Sequence, residues 1–128
     1  FSRNNADPPH FTGENAKVTN SLITEGCFVD GVVENSVLSA GVRVEKGAYI
    51  RDSVIMSGVT VKGGALVNYS IIDSDATVGE GSVVGRTRSA STGITVVSGG
   101  VTVPDGADVP AGMMATKQYL ENLGREDK

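Results

Sequence analysis

The sequence is poor in the side chains that fill a wide core: it has no tryptophan, three phenylalanines and three tyrosines among 128 residues. Valine and isoleucine are abundant instead, and 17 glycines are spread along the chain. A narrow core of small β-branched side chains therefore suits this composition better than a β-sandwich or a helical bundle. The single cysteine, Cys27, excludes an internal disulfide, so we expect a buried thiol and a reducing cytoplasm.

Positive charge and long apolar runs are also scarce. The formal net charge is −4 at pH 7, which argues against nucleic acid or an anionic membrane as a partner. No apolar run approaches the length that spans a bilayer. The chain begins at Phe1 in a polar stretch without methionine, and we expect it to be part of a longer polypeptide.

Three consecutive segments of equal length carry the main structural signal. They run from Ser36 to Arg86 and read SVLSAGVRVEKGAYIRD, SVIMSGVTVKGGALVNY and SIIDSDATVGEGSVVGR. Within them an aliphatic residue recurs in steps of six, six and five, so that three steps make seventeen residues. This spacing is neither helical nor simply alternating, and it is typical of the hexapeptide repeat of a parallel β-helix.

The repeat predicts three inward columns of stacked side chains, one on each face of a triangular prism. The columns are Leu38, Ile55 and Ile72; Val44, Val61 and Val78; and Ile50, Val67 and Val84. The corners need small residues in tight turns, because the backbone there adopts conformations that favour glycine. Glycine stands at five of these corners, namely Gly41, Gly47, Gly58, Gly64 and Gly81.

The same rhythm continues on both sides of the three repeats. Upstream it passes in steps of five, six and four through Val18, Ile23, Val29 and Val33, which predicts one shortened corner. Downstream, residues 85–93 (GRTRSASTG) predict a loop insertion, after which the rhythm resumes at Val97, Val103 and Val109.

These patterns divide the chain into three predicted parts. Residues 1–15 form a linker, residues 16–112 form an all-β parallel β-helix of roughly four to five coils, and residues 113–128 form a capping helix and tail. In that helix Tyr119, Leu120 and Leu123 share one side, and Gly124 is expected to end it.

Several enzyme groups share the hexapeptide repeat, so the flanking phrases are more informative about function. Residues 8–38 read PPHFTGENAKVTNSLITEGCFVDGVVENSVL. Their Pro-Pro, NSL, Gly-Cys and VENSVL phrases closely resemble the start of the C-terminal domain of bacterial glucose-1-phosphate adenylyltransferases (ADP-glucose pyrophosphorylases). Residues 50–56 (IRDSVIM) and 93–112 (GITVVSGGVTVPDGADVPAG) resemble the same family, so the resemblance covers nearly the whole chain.

The resemblance implies a left-handed β-helix that serves as the C-terminal oligomerisation and regulatory domain of an enzyme of glycogen biosynthesis. That enzyme joins ATP and glucose 1-phosphate into ADP-glucose and releases pyrophosphate. Mg²⁺ and ATP would be bound by an N-terminal catalytic domain, whose glycine-rich phosphate loop is not found in this sequence. We therefore expect no catalytic, cofactor-binding or metal-binding residue here. The implied partners are that catalytic domain, the other subunits of a cytoplasmic tetramer and a sugar-phosphate effector.

The family's effector-binding cations are replaced at three aligned positions. Plant-type members have lysines where this chain has Ser91 and Gly99, and enteric-type members have an arginine where it has Ser74. A phosphate-bearing effector would lose charge-assisted contacts at these positions, so we expect weak or altered regulation. Arg86 and Arg88 in the predicted loop are the remaining candidates for an anion or effector contact, although solvated loop charges are common.

Two alternatives stay open. The parent could be a non-catalytic regulatory subunit of the same system, or the chain could be a hexapeptide-repeat acyltransferase-like protein. Such acyltransferases use a catalytic histidine at a subunit boundary, whereas the only histidine here, His10, precedes the first coil and suits a surface or docking role. Met113 and Met114 suit core filling or an interface. Tyr49 and Tyr69 are expected on outer faces.

Overall fold

The chain forms a triangular solenoid of three parallel β-sheets with a helix at its C-terminal end. The computed structural model describes residues 11–13, 16–87 and 93–126. Every third strand along the chain belongs to the same sheet, and each sheet contains six short strands. One circuit of three strands is one coil, so the described residues make six coils. The fold is a left-handed parallel β-helix, as predicted.

The eighteen strands are distributed evenly among the sheets. The first sheet contains β1 (Phe11–Thr12), β4 (Phe28–Val29), β7 (Arg43–Val44), β10 (Thr60–Val61), β13 (Thr77–Val78) and β16 (Thr102–Val103). The second contains β2 (Lys17–Thr19), β5 (Val32–Glu34), β8 (Tyr49–Arg51), β11 (Leu66–Asn68), β14 (Val83–Val84) and β17 (Asp108–Val109). The third contains β3 (Leu22–Ile23), β6 (Val37–Leu38), β9 (Val54–Ile55), β12 (Ser70–Ile72), β15 (Thr95–Val97) and β18 (Met114–Ala115).

All nine side chains of the predicted inward columns lie in the core and are 0% exposed. In the third sheet Ile55 pairs with Leu38 on one side and with Ile72 on the other. The columns of the first and second sheets have the predicted register as well. The prism is narrow, so each column accepts medium-sized aliphatic chains, whose burial stabilises the coil by roughly 25 cal/mol per Å² of apolar surface.

The solenoid is longer than the four to five coils predicted, because the strands extend past both predicted boundaries. Strand β1 falls within the segment predicted as a linker, where Phe11 pairs with Phe28. Strand β18 falls within the segment predicted as helix and tail, where Met114 pairs with Val96. A terminal strand needs backbone pairing on only one side. Ala115 is also small enough to end an inward column, and it is fully buried.

The corners follow the predicted turn chemistry. The five predicted corner glycines all have positive φ, between 68 and 85°. The shortened corner between Val29 and Val33 passes through Gly31, where a Cβ would lie 2.5 Å from the carbonyl oxygen of Ala48. Only a residue without a side chain fits this close approach, so Gly31 allows the chain to turn in four residues instead of six.

A column of serine hydroxyls stabilises the corner between the second and third sheets. The Ser36 hydroxyl accepts a hydrogen bond from the Ser53 N–H at 3.1 Å, and the Ser53 hydroxyl accepts one from the Ser70 N–H at 3.2 Å. The residues that precede the serines of this corner have φ between 47 and 54°, and they are Asn20, Asn35, Asp52 and Tyr69. Because this left-handed turn interrupts the backbone ladder, the hydroxyls supply the missing acceptors.

The C-terminal helix α1 (Lys117–Glu126) lies against β16 and β18 at the end of the solenoid. It begins after Thr116, whose hydroxyl accepts a hydrogen bond from the Tyr119 N–H at 3.2 Å, as at a helix N-cap. Leu120 is 5% exposed and joins the core. The expectation that Gly124 ends the helix is wrong, because α1 runs through it, and a single glycine inside a helix costs only about 1 kcal/mol.

Candidate functional site

Arg86 lies where the chain leaves the second sheet after β14, and its charge is already paired. Its Nη2 is 2.9 Å from Oδ1 of Asp108 and donates to Oδ2 of the same carboxylate at 3.0 Å. Its Nη1 also donates to the Gly85 carbonyl at 2.9 Å. An anion at Arg86 would therefore compete with a carboxylate from the next coil. Arg88 lies outside the described residues, and the effector role of both arginines stays a prediction.

Ser74 and Gly99, two of the aligned effector positions, lie in neighbouring coils at the corner between the third and first sheets. The Gly100 N–H donates to the Ser74 carbonyl at 2.9 Å, and a Cβ on Gly99 would lie 3.1 Å from that oxygen. The Asp73 carboxylate borders the same place and accepts a hydrogen bond from the Ser74 N–H at 2.7 Å. A carboxylate here repels a phosphate. Ser91, the third position, lies outside the described residues.

The outer surface of the second sheet carries a bonded group of three polar side chains. Tyr49 lies on this surface, as expected, and its hydroxyl donates to Oε1 of Glu34 at 2.9 Å. Nη2 of Arg51 donates to the Tyr49 hydroxyl at 2.7 Å, and the guanidinium lies 5.0 Å from the tyrosine ring centroid. The hydrogen bond and the charge interaction with Tyr49 raise the pKa of Arg51, and Glu34 adds a smaller effect. These contacts hold the three side chains together on the outer surface of β5 and β8.

Cys27 is a structural residue. Its side chain is 1% exposed, and its thiol donates to the Ser39 carbonyl at 3.0 Å. Burial raises the pKa of the thiol, and hydrogen bonds with backbone groups offset this effect in part. A buried thiol with a raised pKa remains protonated and is a poor nucleophile. The expected role as a buried thiol is confirmed.

Two of the surface grooves that the described residues form are shallow and open. One, of about 460 Å³, lies between α1 and the first sheet, beside Thr102, Lys117 and Leu120. The other, of about 470 Å³, follows the corner at Asn35 and Asp52. Within residues 11–13, 16–87 and 93–126, no group of three or more His, Cys, Asp or Glu side chains is placed to hold a metal ion. The helix in that part of the chain is too short and too polar to cross a bilayer.

An outward apolar column on the third sheet was not foreseen. In each aliphatic pair that follows a corner serine, the first residue faces outward and the second faces the core. In β9, for example, Val54 is exposed and Ile55 is buried. The outward partners stack in register over all six coils. We call them the outer apolar column, and they are Leu22, Val37, Val54, Ile71, Val96 and Met114. The repeated phrases SVL, SVI and SII were the available signal, because strand side chains alternate between the two faces.

Comparisons with known proteins agree with this architecture. A family model described as GlmU-like, C-terminal hexapeptide, matches residues 8–104. Among solved structures, the chain is similar to the acetyltransferase domain of PglB from Neisseria gonorrhoeae FA1090 in complex with acetyl coenzyme A, with 27% identity and a TM-score of 0.66.

That similarity covers 84% of this chain and 54% of the acetyltransferase domain, so the chain spans about half the length of that structure. An acetyltransferase neighbour fits the acyltransferase-like alternative better than the ADP-glucose interpretation. The family match covers most of the chain and includes the three central repeats. The chain belongs to the GlmU-like C-terminal hexapeptide family.

Proposed function

We propose that this β-helix is the assembly and regulatory domain of a nucleotidyltransferase that forms ADP-glucose from ATP and glucose 1-phosphate. This role is supported by where the side chains of the coil lie and what they contact. The inner columns are packed with aliphatic groups, the Cys27 thiol is buried, and outward polar groups such as Arg86 and Tyr49 are bonded to neighbours on the same solenoid. Such a coil is a rigid scaffold for other domains.

The ADP-glucose specificity rests on the phrases that resemble the glucose-1-phosphate adenylyltransferases. The VENSVL and IRDSVIM phrases each supply a corner serine of the coil together with its aliphatic pair, and the NSL phrase supplies Ser21 with the first residue of its pair, Leu22. Mg²⁺ and ATP would be held by the catalytic domain of the intact protein. The β-helix would then organise the subunits and transmit the effect of effector binding to the catalytic domain.

We expect the regulation by sugar phosphates to be weak or altered. Ser74 and Gly99 replace cations of the resembled family, and the Asp73 carboxylate lies beside both. Fructose 1,6-bisphosphate titrated into the intact enzyme should therefore change its activity by less than about twofold. Strong activation would contradict this part of the proposal. The Asp73→Asn variant removes the carboxylate charge but keeps the shape of the side chain, and a change in its activation would then show that this corner takes part.

A second candidate function is acyl transfer, which the PglB acetyltransferase neighbour favours. In that case the solenoid would form an acetyl coenzyme A site together with further groups. The chain contains one histidine, His10, which lies outside the described residues, so the structure does not assign it a role as a base.

One experiment separates the two functions. The protein is expressed from the complete open reading frame that encodes this chain. It is then assayed for pyrophosphate release with ATP, Mg²⁺ and glucose 1-phosphate, and for free thiol release from acetyl coenzyme A with amino-sugar acceptors. We expect pyrophosphate release that requires glucose 1-phosphate, either from the protein alone or, for a regulatory subunit, as stimulation of a catalytic partner. Thiol release without pyrophosphate release would establish the acetyltransferase function instead.

A further inference from the structure

The amide of Asn68 is a buried polar side chain without a hydrogen-bond partner among the described residues. Six polar residues of that part of the chain are buried, and the hydroxyls of the other five are hydrogen-bonded, namely those of Ser36, Ser53, Ser70, Ser82 and Thr95. Asn68 is 6% exposed, and its main-chain carbonyl accepts a hydrogen bond from the Ser70 hydroxyl, but its side chain bonds to no described group. A buried amide without a partner is costly, so it points to a ligand.

Asn68 ends β11 on the outer surface of the second sheet, and Gly85 lies above it in the next coil. Val67 pairs with Val84, which places the residues that follow them, Asn68 and Gly85, opposite each other. A Cβ at Gly85 would overlap the Asn68 carbonyl oxygen, so the close approach of the two coils requires glycine. Because Gly85 has no side chain, the outward column ends above Asn68 without a group that could bond to the amide.

Arg86 follows Gly85 directly and brings a guanidinium to the same place. Its Nη1 donates to the Gly85 carbonyl at 2.9 Å, and its Nη2 donates to the Asp108 carboxylate at 3.0 Å. The Arg86 and Asp108 side chains are 46% and 61% exposed. An exposed ion pair of this kind is weak, so an anion from solvent can displace the carboxylate. Phosphate suits the guanidinium best, because it accepts two parallel N–H groups of an arginine.

The charges on the outer surface of the second sheet are balanced in the free protein. Those on its strands and at Arg86 belong to Lys17, Glu34, Arg51, Arg86 and Asp108. Glu34 lies 3.5 Å from Arg51, and Asp108 lies 2.9 Å from Arg86, so each guanidinium already has a carboxylate. Of the acidic residues at the adjoining corners, Asp52 lies two coils below Arg86, about 10 Å along the axis, and Glu80 and Asp105 lie at the opposite corner. Asp108 is therefore the group that an anion has to replace.

We propose that Asn68 and Arg86 form a site for the phosphate group of a sugar phosphate, and that Asp108 closes this site in the free protein. When the phosphate displaces Asp108, it accepts hydrogen bonds from the Arg86 guanidinium and from the Asn68 amide, and the carboxylate turns to solvent. This inference deepens the proposed regulation by sugar phosphates and rests on it. It also gives a physical reason for a weak response, because the effector competes with a carboxylate that belongs to the protein.

The test is a titration of the isotopically labelled 128-residue chain with inorganic phosphate at constant ionic strength, followed by NMR. The signals to follow are the side-chain amide of Asn68 and the backbone amides of Gly85 and Arg86. We expect saturable shifts in the natural chain and about fivefold tighter binding in Asp108→Asn, which removes the competing carboxylate. If the Asn68 amide does not shift in Asp108→Asn, the inference is wrong.

Asp75→Asn is the matched control for charge. It makes the same change at an exposed corner between the third and first sheets, on a residue with positive φ that asparagine tolerates. It should change the phosphate affinity of the Asn68 site by less than about twofold, because exposed charges beyond about 10 Å are screened. An equal gain in Asp75→Asn and Asp108→Asn would show that net charge alone governs binding, which would overturn the inference.

Asn68→Leu separates a binding role from a structural one. Leucine is similar in size and has no polar group, so the loss of an unpartnered amide should leave Tm unchanged or raise it. Combined with Asp108→Asn, it should weaken phosphate binding at least threefold, and Arg86→Gln in that background should abolish the saturable shifts. A fall in Tm of more than about 4 °C would show that the amide has a partner in the free protein. That result, or unchanged phosphate binding in either variant, would also overturn the inference.

Fructose 1,6-bisphosphate tests the class of ligand in the Asp108→Asn chain. It should shift the same three signals at a lower concentration than inorganic phosphate does, and a failure to shift them would contradict a sugar-phosphate site. The titrations contain no ATP or glucose 1-phosphate and measure binding alone. A failed phosphate site is therefore distinguishable from a failed assignment of ADP-glucose formation.

Discussion

The hydroxyl column at the corner between the second and third sheets allows a quantitative test by the substitution Ser53→Ala. The Ser53 hydroxyl accepts a hydrogen bond from the Ser70 N–H at 3.2 Å and donates one to the Arg51 carbonyl at 2.8 Å. Ser53 and Ser70 are 3% and 2% exposed, so water does not easily replace the lost partner. The substitution keeps the Cβ and creates almost no cavity. Its effect therefore isolates the hydrogen bonds.

The expected cost follows from the one group left without a partner, the Ser70 N–H. A buried backbone N–H that loses its acceptor costs about 1–3 kcal/mol. The Arg51 carbonyl keeps its hydrogen bond from the Tyr69 N–H at 2.9 Å, so we expect Ser53→Ala to lower the free energy of unfolding by about 2 kcal/mol in total. For a chain of this length, that corresponds to a fall in Tm of roughly 7 °C.

The assay is urea unfolding followed by circular dichroism at the wavelength of the β signal. Ser57→Ala is the matched control, because Ser57 lies at an exposed turn of the same coil, and it should change the free energy of unfolding by less than about 0.5 kcal/mol. If Ser53→Ala has an effect as small as the control, the hydroxyl column does not stabilise the corner and the reasoning is refuted.

Three further predictions concern the core, a turn and the thiol. Ile55→Ala should lower the free energy of unfolding by about 2–5 kcal/mol and its neighbour Val54→Ala by less than about 1 kcal/mol, because only the first side chain is fully buried; equal losses in urea unfolding would contradict the column. Gly85→Ala should lower Tm more than Gly81→Ala, since both have positive φ but only the Cβ at Gly85 would overlap a backbone carbonyl oxygen. Because the folded pKa of Cys27 is raised, its contribution to stability is fully present below the pKa of the unfolded thiol and is lost as the pH rises through the folded pKa. Unfolding at pH 7 and pH 10 should therefore show a smaller loss of stability in Cys27→Ala than in the natural protein, and an equal loss would contradict it.

The sequence was sufficient to predict the inner columns, because the interior of a narrow prism accepts one kind of side chain at a fixed spacing. Leu38, Ile55 and Ile72 stack as the spacing indicated. The number of coils was underestimated for a physical reason. Strands β1 and β18 pair on one side only, and backbone hydrogen bonds hold them without requiring the aliphatic pattern that defines the central coils.

The surroundings of the candidate site residues were less predictable. Arg86 pairs with Asp108, 22 residues later, and that contact depends on the register in which Val84 pairs with Val109. The predicted loop at 85–93 lies partly outside the described residues. The repeat predicted that Val109 resumes the inward pattern, but a pattern of inward residues does not indicate which outward side chain pairs with Arg86. The outer apolar column had a visible signal in the aliphatic pairs. The six-residue spacing identifies only the inward member of each pair, and the alternation of side chains along a strand then places the other member on the outer face.

The most direct test of the account is the accessibility of methyl groups along the third sheet. Methyl NMR spectra are recorded with and without a soluble paramagnetic relaxation agent. We expect strong relaxation of the Val37 and Val54 methyl groups and weak relaxation of the methyl groups of Leu38 and Ile55, which follow them directly in the sequence. Similar relaxation of both members of each pair would contradict the alternation on which the core and the outer apolar column both depend.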